Sequence, residues 1–212
     1  LNPGMLGKFK AFGKMEEEAS REFLRKALGP FILRRRKSEV AQGLPEKTEQ
    51  TLYCEMTTSQ KKFYSELKNY YQAGLLKKVH AEGMGKVKIQ VLEALLRLRQ
   101  AACHPGLVDK SMLTTSSSKI ESLYEQLQEV MAEGHKALVF SQFTSLLSIF
   151  KEKLDREGVS YLYLDGKTRK REQCVNQFQK DPTKKVFLIS LKAGGVGLNL
   201  TAAEYVFILD PW

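Results

Sequence analysis

The first half of the chain carries apolar residues at helical spacing. Residues 86–103 place an apolar side chain at every third or fourth position, beginning with Val87 and Val91. The segment before it shows the same spacing at Phe63, Tyr64, Leu67 and Tyr71. That segment follows three residues able to cap a helix, Thr57, Thr58 and Ser59. The pattern predicts two antiparallel helices, with Gly83 and Gly85 marking their connection.

The second half alternates helical and extended patterns. A serine-rich stretch, residues 111–118, precedes a helical face that ends at Gly134. Four short apolar runs, rich in β-branched and aromatic residues, then predict strands at residues 137–140, 161–164, 186–189 and 205–209. Helical segments over 144–156 and 169–180 separate the first three strands. This order predicts an α/β fold with a parallel sheet and right-handed crossovers.

Parallel sheets of this kind bind ligands at the carboxyl ends of their strands. Three loops follow the predicted strands there: residues 141–143 (SQF), 165–168 (DGKT) and 190–197 (SLKAGGVG). The third loop contains three glycines directly after a hydrophobic strand. Glycines let backbone N–H groups face a phosphate, and a short helical turn after them would add its positive dipole end. We therefore predict a phosphate-facing surface at this edge.

The charge of the chain indicates a polyanionic partner. Its 212 residues include 34 Lys and Arg against 24 Asp and Glu, a formal net charge of +10. The basic residues cluster at 34–37, 167–171 and 184–185. Clustered positive charge favours a nucleic acid over a merely solvated surface.

The cysteines indicate a reducing compartment. Cys54, Cys103 and Cys174 are odd in number, widely separated and without a CxxC pair, so we expect neither a disulfide framework nor a metal site. No apolar run approaches the length of a membrane span, and the sequence shows no signal-peptide pattern. We therefore expect a soluble intracellular protein without a membrane partner.

Several segments together resemble a known family of motors. Residues 137–147 (ALVFSQFTSLL), 164–168 (LDGKT) and 190–204 (SLKAGGVGLNLTAAE) are similar, in this order, to the fourth motif, the segment after it and the fifth motif of Swi/Snf-type ATP-dependent DNA translocases. These belong to helicase superfamily two. Residues 31–40 together with 44–47 resemble the linker that leaves the first lobe in this family. Residues 95–105 (LLRLRQAACHP) resemble the helical protrusion that family members insert into the second lobe. Gly29 departs from the pattern, where arginine commonly precedes Pro-Phe.

The resemblance implies three parts. Residues 1–55 would hold the end of the first lobe and the interlobe linker, and residues 56–118 the helical protrusion. Residues 119–212 would form the second motor lobe, a RecA-like parallel sheet flanked by helices, truncated before the final arginine-bearing motif.

The chain lacks other parts that such a motor requires. It contains neither a GxxxxGK[ST] phosphate loop nor the metal-binding acidic motif. We expect these to lie upstream, with the arginine motif downstream, so that this segment has no catalytic residue of its own. ATP and Mg²⁺ are then cofactors of a longer protein, not bound or hydrolysed by this chain alone.

The resemblance also assigns residues to two ligands. The residues expected to contact DNA phosphates are Ser141, Gln142, Gly166, Lys167, Thr168, Ser190, Lys192, Gly194 and Gly195. Gly197 and Asn199 are expected near ATP, and Arg34, Arg35 and Arg36 are expected to couple the lobes. For three of these residues a purely structural role, without ligand contact, stays open. Thr168 would cap the next helix, Gln142 would only order its own loop, and Asn199 would be a turn residue.

Double-stranded DNA and the first lobe of the same protein are the expected partners, with a transcription, repair or nucleosome complex beyond them. We expect a bacterial protein in the cytoplasm or nucleoid, the alternative being the nucleus. Two other functions stay open: a lobe of an RNA helicase, and a non-motor nucleotide-binding or interaction domain. The dinucleotide variant of the latter fails its pattern, because Leu200 stands where GxGxxG requires glycine.

Overall fold

A computed structural model describes residues 17–33, 35, 47–194 and 197–211. The chain divides into two compact units, residues 1–51 and 52–212. In the first unit, helix α1 (Glu17–Leu28) leads into a 3₁₀ turn, Gly29–Phe31. Pro30 lies in the first turn of this 3₁₀ segment, where its missing N–H leaves no hydrogen bond unmade.

The second unit begins with the two predicted helices. Helix α2 (Thr58–Glu82) and helix α3 (Met84–Cys103) pack along their length as a hairpin. Thr57 is the residue that caps α2, since its hydroxyl accepts a hydrogen bond from the Gln60 N–H at 3.2 Å. The face of α3 turned to α2 buries Val87, Ala94 and Ala101. Small side chains on this face allow the helices to approach closely.

One glycine, and not two, makes the predicted connection. Gly83 has φ +79° and ends α2, donating its N–H to Val79 O at 3.0 Å. Gly85 lies within α3. Gly83 has ψ 158°, so it combines positive φ with an extended ψ, a backbone conformation that is open essentially to glycine alone. This explains why the turn lies at Gly83.

Alanine substitutions at these glycines are expected to have opposite effects on stability. Gly83→Ala should lower the free energy of unfolding by about 1–3 kcal/mol, because a Cβ is unfavourable at positive φ with extended ψ. Gly85→Ala should raise it by about 0.5–1 kcal/mol, because alanine is the better residue inside a helix. Urea denaturation of both variants measures this pair, and changes of the same sign would contradict the assigned helix boundary.

The sheet is parallel, as predicted. Its strands are β1 (Ala137–Ser141), β2 (Tyr161–Leu164), β3 (Val186–Ser190) and β4 (Tyr205–Ile208), in the spatial order β2-β3-β1-β4. Helix α4 (Ser118–Ala132) precedes the sheet, α5 (Thr144–Arg156) connects β1 to β2, and α6 (Arg171–Lys180) connects β2 to β3. A single helical turn, α7 (Leu191–Gly194), follows β3 directly.

Helices cover both faces of the sheet. On one face, buried residues of α4 and α5, among them Leu127 and Phe150, pack against Val139 and Leu188. On the other face, Phe178 of α6 packs in a cluster with Leu138, Phe187 and Ile189. Because both faces are buried, β3 is apolar at each position before Ser190.

Candidate nucleic-acid interface

The three predicted loops meet at one edge of the sheet. Ser141 at the end of β1 is the register partner of Ser190 at the end of β3. Leu164 at the end of β2 pairs with Ile189, which also belongs to β3. Because β3 lies between β2 and β1, the loops that follow these strands are neighbours in space. The topology thus brings the three loops that contain the predicted phosphate-binding residues to one edge of the sheet.

Two of the predicted contact residues are buried. Ser141 is fully buried, and its hydroxyl accepts a hydrogen bond from the Phe143 N–H at 3.0 Å. The same hydroxyl lies 3.3 Å from Phe143 O, to which it can donate. Ser190 is also buried. The Ser141 side chain therefore orders the loop behind the surface, whereas Gln142 between it and Phe143 is exposed.

The backbone of this loop is held by a residue that the sequence analysis missed. The Gln142 N–H donates to both carboxylate oxygens of Asp210, each at 3.1 Å. Asp210 follows β4 and is 5% exposed. A polar residue directly after an apolar strand is the signal that would have pointed to Asp210, because the fourth strand end belongs to the same edge as the other three.

A compact turn forms the second loop. The Asp165 carboxylate accepts hydrogen bonds from the Lys167 N–H at 2.9 Å and the Thr168 hydroxyl at 3.1 Å. The Thr168 hydroxyl in turn accepts from the Asp165 N–H at 3.0 Å. Desolvation raises the pKa of Asp165, but hydrogen bonds from Lys167, Thr168 and Tyr163 outweigh it and lower that pKa below its usual value. The turn is thereby fixed with its carboxylate ionised.

The open interpretation of Thr168 as a helix cap does not match this geometry. Helix α6 begins at Arg171, its N-cap position is Lys170, and no side-chain cap is formed there. Thr168 closes its own turn instead. Gly166 at the tip is exposed, and a Cβ there would meet no atom within 4 Å.

The third loop differs from the prediction in its order. The helical turn α7 begins immediately after β3 and ends at Gly194, ahead of Gly197, whereas the sequence led us to expect it after the glycines. Gly194 is required by a close approach, since a Cβ would lie 2.8 Å from Cε1 of Phe140. Gly197 has φ +51°, which favours glycine.

Two exposed lysines lie in these loops. Lys167 and Lys192 each belong to a different strand-end loop and are both exposed. Within the described part of the chain, neither takes part in an ion pair. Ammonium groups that no internal carboxylate neutralises are free to meet an external anion.

The predicted nucleotide residues lie beside a fixed loop. Gln179 of α6 donates to Asn199 O at 3.0 Å and to the Thr201 hydroxyl at 3.1 Å, and accepts from the Ala202 N–H at 2.8 Å. Asn199 and Gly197 are exposed. Gln179 is a second positioning residue that sequence reasoning missed, since a glutamine in a polar helix gives no signal of such a contact.

Three of the predicted site residues, Gly195, Arg34 and Arg36, lie outside the described residues. Arg35 is described and is exposed. Among the residues that are described, no cluster of three His, Cys, Asp or Glu is arranged to hold a metal ion. None of the described helices has the length and apolar character to cross a membrane.

Comparison with known proteins gives two family matches. The SNF2-related domain family matches residues 1–107, and the helicase conserved C-terminal domain family matches residues 118–212. The chain is 38% identical over 209 residues to Chromodomain-helicase-DNA-binding protein 1-like of Mus musculus, a match that covers 92% of this chain and 22% of that protein. The chain thus spans about a fifth of the length of the curated relatives it matches.

Solved structures agree with the family matches. The SWI2/SNF2 ATPase core domain of Sulfolobus solfataricus superimposes with a TM-score of 0.68 at 32% identity, covering 100% of this chain and 46% of that chain. The same core in complex with dsDNA gives a TM-score of 0.66 at 30% identity, covering 100% of this chain and 47% of that one.

The relatives come from animals, plants, a bacterium of the genus Mycoplasma and an archaeon, so they do not single out the bacterial origin expected from the sequence. The parallel sheet flanked by helices is the RecA-like fold of these ATPase cores, as predicted. The domain matches and the sheet together show that this chain belongs to the SNF2-related family of helicase-like ATPases.

Proposed function

We propose that this chain supplies the second motor lobe of an ATP-dependent translocase on double-stranded DNA. The observation that carries the proposal is the meeting of three strand-end loops at one sheet edge, with exposed Lys167 and Lys192 in two of them. The similarity to an ATPase core solved with dsDNA supports the choice of nucleic acid.

The chemistry of the edge suits a phosphate backbone and not bases. Lys167 and Lys192 offer point charges, and the Gln142 side chain offers an amide that can donate a hydrogen bond. Contacts of these kinds position a protein on DNA without reading sequence. The buried Ser141 and Ser190 support the surface from behind, while Gly166, Thr168 and Gly194 shape the loops that approach the backbone. Gly195 stays a predicted phosphate contact outside the described residues.

Gly197 and Asn199 suit a contact at the periphery of an ATP site. Gly197 and Asn199 are exposed on a loop that Gln179 fixes, and they would touch the nucleotide from one side. Bound ATP would supply the free energy for closing the two lobes. The chain has no phosphate-binding GxxxxGK[ST] loop, so the proposal leaves hydrolysis to residues outside it.

Nucleotide and DNA would then communicate through one loop. The loop that begins with Lys192 and ends near Asn199 has its first part at the proposed DNA surface and its last part at the proposed nucleotide contact. Closure against the first lobe, with the arginines 34–36 in the connecting segment, would change the grip on the phosphates. The compartment follows from the partner and is the nucleoid or the nucleus.

Duplex binding across a salt series tests the proposal. Lys192→Ala and Lys167→Ala should each lower affinity for a duplex about threefold to tenfold, independent of its sequence, and reduce the slope of log affinity against log salt by about 1. Fluorescence anisotropy with labelled duplex, single-stranded DNA and RNA measures both quantities.

Lys180→Ala is the matched control, because Lys180 is an exposed lysine at the end of α6 that leads toward the opposite edge of the sheet. Its affinity should remain within about twofold of the unaltered chain. If all three lysine variants bound alike, the proposed surface would be wrong. Preference for single-stranded RNA over duplex DNA would favour the RNA-helicase alternative.

A further inference from the structure

We propose that Asp210 is a positioning residue that sets the loop of residues 141–143 for phosphate binding. The inference rests on the proposed function, since it deepens the assignment of this edge to DNA. Asp210 would not touch DNA itself, because its side chain lies beneath the loop and is buried.

Asp210 reaches the loop because β4 lies beside β1. The ladder between these strands ends with the Leu209 N–H donating to Phe140 O at 3.0 Å. The next residue therefore lies opposite the end of β1, where its carboxylate accepts the Gln142 N–H with both oxygens at 3.1 Å. An ionised carboxylate only accepts hydrogen bonds, and both of its oxygens face this N–H, so the contact is favourable.

Two cations from the helices hold the backbone at Leu209 and Asp210. Arg99 of α3 donates to Asp210 O at 3.4 Å, and its guanidinium lies 5.9 Å from the centre of the Phe143 ring. Lys119 of α4 donates to Leu209 O at 2.7 Å. Both hydrogen bonds go to backbone carbonyls, so they hold the chain on either side of the peptide bond that leads into Asp210. The helical hairpin is thereby connected, through Arg99 and Asp210, to the first strand-end loop.

The arrangement determines which atoms of the loop can meet a phosphate. The Gln142 N–H is taken by Asp210, and the Phe143 N–H is taken by the Ser141 hydroxyl at 3.0 Å. Neither N–H is available to an external anion. The loop therefore presents the exposed side-chain amide of Gln142, and Asp210 fixes the backbone position from which that side chain projects.

Replacement of the carboxylate tests this role in the full chain. Asp210→Asn keeps the size of the side chain but replaces one acceptor by an amide that donates, so the Gln142 N–H loses part of its support. We expect duplex affinity to fall about fivefold. Asp181→Asn is the matched control, since Asp181 also accepts a backbone N–H, from Thr183 at 2.9 Å, but precedes β3 at the opposite edge.

Double-mutant cycles distinguish positioning from general destabilisation. The losses from Asp210→Asn and Gln142→Ala should be strongly non-additive, because both act through the same amide, whereas those from Asp210→Asn and Lys192→Ala should add. Additive losses with Gln142→Ala, or an Asp210→Asn variant that binds DNA as tightly as the Asp181→Asn control, would overturn the inference.

Should Asp210→Asn fail to fold, Arg99→Met provides the second variant. Methionine keeps apolar contact with Phe143 but cannot donate to Asp210 O, so a smaller loss of affinity, again non-additive with Gln142→Ala, is expected. A loss additive with Gln142→Ala would count against the inference. If the proposed DNA-binding function itself were wrong, Lys192→Ala would also leave duplex binding unchanged. If only the role of Asp210 were wrong, Lys192→Ala would still lower duplex affinity.

Discussion

Phe178→Ala is expected to lower the free energy of unfolding of the second unit by about 3–5 kcal/mol, the range for a large side chain removed from a packed core. Phe178 is fully buried between α6 and the sheet, with its ring 5.2 Å from that of Phe187. Lys136 Nζ lies 5.0 Å from the ring centre, so a cation–π contact would be lost as well. The cavity would lie directly under one face of a four-stranded sheet.

Guanidinium denaturation, monitored by far-ultraviolet circular dichroism, measures this loss of stability. Phe178→Leu is the control, since leucine fills most of the same volume, and we expect it to cost about 1–1.5 kcal/mol. A Phe178→Ala variant as stable as Phe178→Leu would mean that α6 can collapse onto the sheet, in contradiction to the packing described.

Gly194→Val is expected to destabilise the chain by about 3 kcal/mol, the upper part of the range for overpacking a core. The first carbon of any side chain at this position would lie 2.8 Å from Cε1 of Phe140 and 3.2 Å from Cγ2 of Ile189. Both contacts are to side chains of central strands, and Ile189 is fully buried, so the ring of half-buried Phe140 would have to turn aside to make room. The helical turn α7 would have to lift from the sheet, and Lys192 within it would move.

The expected result is therefore a loss of both stability and duplex affinity. Thermal denaturation and anisotropy on the same samples measure the two effects. Gly166→Val makes a matched control for stability, because a Cβ at Gly166 meets no atom within 4 Å, and its stability should change by about 0.5 kcal/mol or less. Equal stability of the two variants would show that the close approach at Gly194 is not maintained.

The regular elements could be predicted from the sequence because their periodicity is local. The strands found differ from those predicted by one residue or less at each end. The hairpin helices follow from the spacing of Val87, Val91 and Leu98. A parallel sheet then followed from the alternation of strands and helices, and with it the edge at which the loops of the proposed site lie.

The atomic roles of the site residues could not be predicted in the same way. Ser141 and Gln142 are adjacent polar residues, yet one is buried and supports the loop while the other is exposed. Thr168 closes its own turn where a helix cap was the alternative. Which way a side chain points at the end of a strand depends on the atoms packed behind it, and these come from other parts of the chain.

The sequence by itself determined the class of fold and the family, and it predicted the surface proposed for a phosphate backbone, because patterns of apolar spacing and short motifs are contiguous. Tertiary structure alone decided how that surface is held. Asp210 lies 68 residues from Gln142, and Arg99 lies 111 residues from Asp210. Contacts over such distances form only when the sheet places β4 beside β1, since a hydrogen bond depends on separation in space and leaves no periodic trace along the chain.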